Sequence, residues 1–197
     1  MSKYTPQAKS HIKRKSLTFR IWFGRLFGRY EGAKELVDEF QSIAARNPFA
    51  PSFDTHNDYF YTGLVAFAML RKDGSDKEYW DNIASDVMKK FDTWIEIGSD
   101  WNFLSKMQML VAERAYCKRD VDVAKAAYDE AIAAAEKHGF IHEEALACEL
   151  AGIFYCERGD ISGGRSYLQK SVELFTRWGA HRKAIHVRSV LQNYHTS

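Results

Sequence analysis

Apolar side chains recur at helical spacing through almost the whole chain, and between residues 102 and 179 they do so twice in the same order. The first stretch is NFLSKMQMLVAERAYCKRDVDVAKAAYDEAIAAAEKHG and the second is HEEALACELAGIFYCERGDISGGRSYLQKSVELFTRWG. With Arg119-Asp120 set on Gly159-Asp160, Val111-Ala112 falls on Ala151-Gly152. Val121 then falls on Ile161, Ala124 on Gly164, Tyr128 on Leu168 and Ala131 on Ser171, always 40 residues apart. A constant period of this size marks units that cannot bury their apolar faces alone and must stack. Each stretch predicts a helical hairpin. Small residues at Ala112/Gly152 and Ala124/Gly164 let the paired helices approach, and Tyr128, Phe154, Tyr155 and Leu168 fill the space between. The breaks fall at 118–120 and 158–160, where Gly159 suits a left-handed helix end and Asp160 a helix cap.

The pattern continues outward. Leu17, Ile21, Phe23, Leu26 and Phe27 predict a helix that ends at Gly28, followed by a partner over 31–45 with Ala33, Leu36, Val37 and Phe40 on one stripe. Gly28, Tyr30 and Ala33 take the places of Gly159, Ile161 and Gly164. Residues 47–58, with Pro48 and Pro51, read as a loop. A further hairpin has helices over 58–71 (Phe60, Leu64, Phe67, Leu70) and 77–97 (Trp80, Ile83, Ala84, Val87, Phe91, Trp94), with a turn at 72–76. Ala84 lies 40 residues before Ala124. A last helix over 180–192, with Ile185, Val187, Val190 and Leu191, is expected to cap the array. The predicted fold is all-α: about nine helices, as four antiparallel hairpins and a C-terminal capping helix. Residues 1–16 are expected to be a flexible basic segment and 17–197 a single repeat domain.

The order of small and aromatic positions around a Gly-Asp turn resembles the tetratricopeptide repeat. Three strings, WNFLSKMQMLVAERA, AAYDEAIAAAEKHGFIHEEALACELAGIFY and YLQKSVELFTRWGAHRKA, carry a closer resemblance. They are similar to the helical-repeat region of very large multi-sensor signalling kinases, which lies between a predicted AAA-type ATPase segment and GAF plus histidine-kinase domains. The resemblance covers about residues 17–190 and is most specific at 143–147 and 167–179. The ATPase, GAF and kinase signatures are absent from this sequence. What the resemblance implies is therefore the repeat module alone: a tetratricopeptide-like α-α superhelix acting as a non-catalytic protein–protein interaction or regulatory scaffold in signal transduction.

Composition fits this picture. The chain is 46% hydrophobic and 27% charged, with only three prolines in 197 residues. Three cysteines, an odd number and all on predicted helices, argue against a secreted disulfide framework and for a reducing, cytoplasmic compartment. No apolar run is long enough to span a bilayer, and no secretory signal opens the chain. The net charge of +2 hides an asymmetry. Lys3, Lys9, Lys13, Arg14, Lys15, Arg20, Arg25 and Arg29 stand among residues 1–30 without a single acid. This basic end reads in three ways: a mitochondrial-type targeting peptide, a patch over 1–29 for RNA or anionic membrane, or a solvated tail leading into the first helix. The hairpin register reaches into the segment, which favours the last.

Catalytic strings fail on inspection. His142-Glu143 begins a zinc-protease pattern, but position 146 is leucine. The glycines of 159–164 lack the Gly-Lys ending and the preceding strand of a phosphate loop. Ser162 and Ser166 have no spacing-based link to a base. Cys148, Cys156 and Cys117 with His138 or His142 could form a zinc site, but without a CxxC pair they read as small buried apolar residues. No enzyme, cofactor or metal is expected. Trp101 and Trp178 follow helix ends, where partial exposure is expected, but without a basic groove they do not make a base-stacking platform.

Repeat logic places partner contacts on the first helix of each hairpin. Lys106, Met109, Glu113 and Tyr116, then Leu146, Glu149, Ile153 and Glu157, are expected to line a groove of apolar and acidic character. That lining lacks a lysine- and asparagine-rich carboxylate clamp and suits a basic amphipathic peptide. Two further readings are a small-molecule-sensing regulatory helical domain and a basic-ended adaptor for RNA or anionic membrane.

Overall fold

Local caps and left-handed turns set several helix ends in this chain. A computed structural model describes residues 5–46, 55–72, 74, 76–98 and 100–194. Among these there are nine α-helices and no strand: α1 (Pro6–Leu26), α2 (Ala33–Arg46), α3 (Thr55–Arg71), α4 (Lys77–Ile97), α5 (Leu104–Lys118), α6 (Val121–His138), α7 (Ile141–Glu157), α8 (Ile161–Arg177) and α9 (His181–Asn193). A short 3-10 turn, Asp100–Asn102, precedes α5. The chain divides into two compact units, Met1–Val87 and Met88–Ser197. The loop expected at 47–58 and the turn at 72–76 fall partly outside the described residues.

In the first unit α1 packs on α2 and α3. It begins at Pro6, well before the boundary expected at 17. Thr5 caps it, its hydroxyl accepting from the Ala8 amide at 3.2 Å, and Pro6 fits the first turn, where its missing N–H costs nothing. Arg14 is buried against Asp58 of α3 (3.7 Å), with Lys15 at 3.8 Å from the same carboxylate. A tertiary ion pair therefore anchors this part of α1 to α3. Leu17, Ile21, Val37, Phe40, Phe60, Leu64 and Phe67 are buried, each large side chain contributing about 1.5–3 kcal/mol by leaving water. The start of α4 is tied to α2 by Lys34 to Asp76 (2.7 Å) and by the Tyr79 hydroxyl donating to Asp38 (2.7 Å). Phe23, expected in the apolar core, faces outward instead.

The second unit carries the 40-residue register into its backbone. Arg119 (φ 63°) and Gly159 (φ 90°) are both left-handed, as are Gly139 (φ 74°) and Gly179 (φ 90°). Asp120 accepts from the Val123 amide at 3.3 Å, and Asp160 from the Gly163 amide at 2.9 Å. α5 packs on α6, α7 on α8, and α6 and α8 pack on α7 and α9 in turn. Ala112 and Ala124 are buried at the small positions of the first pair. In the second pair a Cβ on Gly164 would lie 2.6 Å from the Gly152 carbonyl oxygen, so the two backbones touch. Ala184 and Val187 of α9 are buried, whereas Ile185, expected on its apolar stripe, points to solvent.

Candidate interaction surface

Most residues expected to line a groove on α5 and α7 are buried. Lys106, Met109, Glu113, Tyr116, Leu146 and Glu149 are all buried, Ile153 is half-buried, and Glu157 is exposed. The reason lies in α7. Residues 143–152 are buried without interruption, so this helix is covered on every side rather than on one stripe. Its three buried acids are matched by cations from other helices. Glu143 pairs with Lys106 of α5, Glu149 with Lys183 of α9 (2.6 Å), and Glu144 with Lys170 of α8 (2.8 Å). Glu113 accepts from the Tyr128 hydroxyl at 2.7 Å, and Tyr116 donates to Glu157. Of the predicted residues the structure joins Tyr116 to Glu157, whereas Lys106, Glu113 and Glu149 are tied to Glu143, Tyr128 and Lys183 on other helices.

The cysteines are free thiols. Cys156 packs against Gly164, and Cys148 is fully buried, its thiol pushed up to about 12 by burial. A thiol so far above neutral pH is a packing group, not a nucleophile. Among the described residues no cluster of three or more His, Cys, Asp or Glu side chains is placed to hold a metal ion. Nor is any helix among them long and apolar enough to cross a membrane. One pocket of about 460 Å³ lies between the end of α6, the start of α7 and α8, with Glu136, Glu144, Lys170, Glu173 and Arg177 on its walls. Lys170 is raised above its ordinary range, chiefly by its hydrogen bond to Glu144, so it stays an ammonium and offers no base.

The α6–α7 turn carries His138, Phe140 and His142, and a tryptophan ring lies against each histidine. Trp101, 53% exposed, lies 4.1 Å from the His138 ring; Trp178, 51% exposed, stacks on His142 at 5.1 Å and 22°. Phe140 lies 6.3 Å from His138. Trp101 lies in the 3-10 turn before α5, His138 ends α6, Phe140 and His142 open α7, and Trp178 follows α8. Burial lowers His142 below its ordinary range, partly offset by the neighbouring Glu143, so the stacked ring is neutral at pH 7. The exposure of Trp101 and Trp178 is legible from their places after helix ends. Their convergence on the histidines is not, since it depends on which turns meet. No protein-family model, no curated protein and no solved structure matches the chain.

Proposed function

We propose that this chain is a non-catalytic protein-interaction scaffold whose α5–α6 and α7–α8 hairpins are tetratricopeptide-like repeats, with α1–α2 and α3–α4 as the preceding pair of hairpins and α9 as cap. The resemblance of its repeat strings to signalling kinases places it in signal transduction on this reading. The observation that carries the proposal is the strip of Trp101, His138, Phe140, His142 and Trp178. Half-exposed tryptophans packed against histidine rings have the character of interface hot spots. With Lys106, Glu113 and Glu149 tied up inside the fold, this reading moves the docking surface from the expected groove to the two tryptophans. The partner is a protein or peptide that covers two indole rings.

The test is capture of partners from the native source by the wild-type chain, by Trp101→Ser/Trp178→Ser, and by Glu157→Lys in the exposed remnant of the groove. Loss of the same partner only in the double tryptophan variant, by about 30-fold or more in affinity, supports the strip. Loss only in Glu157→Lys overturns it in favour of the groove. A second reading, a small-molecule-sensing regulatory domain, rests on the pocket around Lys170. A bound metabolite in the mass spectrum of the native protein that disappears in Lys170→Met would favour it.

A further inference from the structure

Helix α1 has two apolar faces. One is buried in the first unit through Leu17 and Ile21. The other is open: Ile12 is 54% exposed, Phe19 50% and Phe23 57%. At 100° per residue these three side chains fall within about 40° of one another and form a stripe about 16 Å long. The rings make a continuous row, with Phe19 and Phe23 centroids 6.5 Å apart at 28°, Phe23 and Phe27 6.4 Å apart, and Trp22 edge-on to Phe19 at 5.7 Å. Lys9, Lys13 and Arg20 are exposed along one flank of the stripe, and Arg29 is exposed beyond its end. Lys13 also reaches Glu39, while keeping most of its side chain in solvent. No acid occurs in residues 1–30.

We infer that α1 docks the first unit onto the surface of an anionic lipid bilayer, with Ile12, Phe19 and Phe23 entering the headgroup–acyl boundary and Lys9, Lys13 and Arg20 resting on the phosphates. Charge complementarity and the combination of features select this occupant. A bilayer offers apolar depth and diffuse negative charge side by side, which is what an aromatic stripe with a basic flank matches. A second copy of the chain would bring two sets of exposed cations face to face across the same stripe, which like-charge repulsion opposes. A nucleic acid would need open aromatic faces for its bases, whereas Phe19 and Phe23 already stack on each other. α1 is too polar to cross the membrane, so contact is along the surface. This inference does not depend on the tryptophan strip of the second unit.

The experiment is flotation of the full chain with phosphatidylcholine vesicles, with and without about a third phosphatidylserine, at low and physiological salt. Binding to the anionic vesicles alone, weakening as salt rises, is expected. Phe19→Ser/Phe23→Ser and, separately, Lys9→Glu/Arg20→Glu should each bind about tenfold or more weakly. Both variants alter exposed side chains and should keep the wild-type circular-dichroism melt. Arg20→Glu alone serves as a gentler variant should either double change disturb folding, and it too should weaken binding. Equal binding to neutral vesicles, no binding at all, or undiminished binding by the phenylalanine variant overturns the inference. So does a phenylalanine-dependent dimer in sedimentation without lipid, or an RNA affinity that the charge variant removes while the phenylalanine variant keeps it.

Discussion

Replacing Gly164 by alanine tests the closest approach in the second unit. The new Cβ would sit 2.6 Å from the Gly152 carbonyl oxygen and 2.7 Å from the Cys156 amide nitrogen, against 3.4 Å where ordinary contact begins. The shortfall of about 0.8 Å is against backbone on both counts, so no rotamer change relieves it and α7 must move away from α8. A gap of that size forfeits a quarter to a half of each dispersion contact along the seam, where Phe154, Leu168 and Phe175 are buried. Overpacking of this kind costs about 3 kcal/mol, and alanine returns about 1 kcal/mol of helix propensity, leaving a net loss of about 2 kcal/mol. For a unit of this size the melting temperature should fall by about 8 °C. Calorimetry reads the shift, and pulsed labelling of Cys156, which lies in the same seam, assigns it to this unit. Gln169→Ala, on the exposed side of α8, is the control and should leave the melt unchanged or slightly raised. A Gly164→Ala protein that melts at or above wild type would refute both the close packing and the register that sets Gly164 on Ala124.

Other consequences follow from single sites. Lys183→Met leaves Glu149 buried without its cation and should cost about 3–5 kcal/mol in denaturant unfolding; adding Glu149→Met should restore most of the loss. Arg119→Gly relieves a left-handed residue that carries a side chain and should stabilise the chain by about 0.5–1 kcal/mol, whereas Gly159→Arg should do the reverse by about as much. Cys148 should resist iodoacetamide at pH 8 while half-buried Cys117 reacts; its raised thiol contributes stability fully below 9.0, lost as pH rises toward 12. His142 titrates the other way: its stabilising contribution is present above 6.5 and lost as pH falls through its lowered value, so an acid-induced change in Trp178 fluorescence should vanish in His142→Phe.

Helix class, the two central hairpins and their turns were legible from residues alone, because the interactions that set them are local. Asp120 and Asp160 reach amides three residues away, and Gly159 and Gly179 take left-handed angles wherever their helices end. The same locality sets Ala124 and Gly164 at equivalent places after their capping aspartates. Side chains whose partners are distant in sequence were not legible. Lys106, Glu113 and Glu149 sit at positions that read as a solvated groove, since a charge on a helix is normally exposed. Their partners Glu143, Tyr128 and Lys183 lie 37, 15 and 34 residues away, and only packing shows that they arrive. α1 gives the converse case. Its apolar spacing marked Phe23 as core, and only the placement of α2 and α3 decided that Leu17 and Ile21 turn inward while Phe19 and Phe23 remain in solvent. The sequence by itself determined the central turns, because their caps act over three or four residues. The tertiary structure decided which faces are interior, because that depends on which counter-charge and which neighbouring helix reach each side chain.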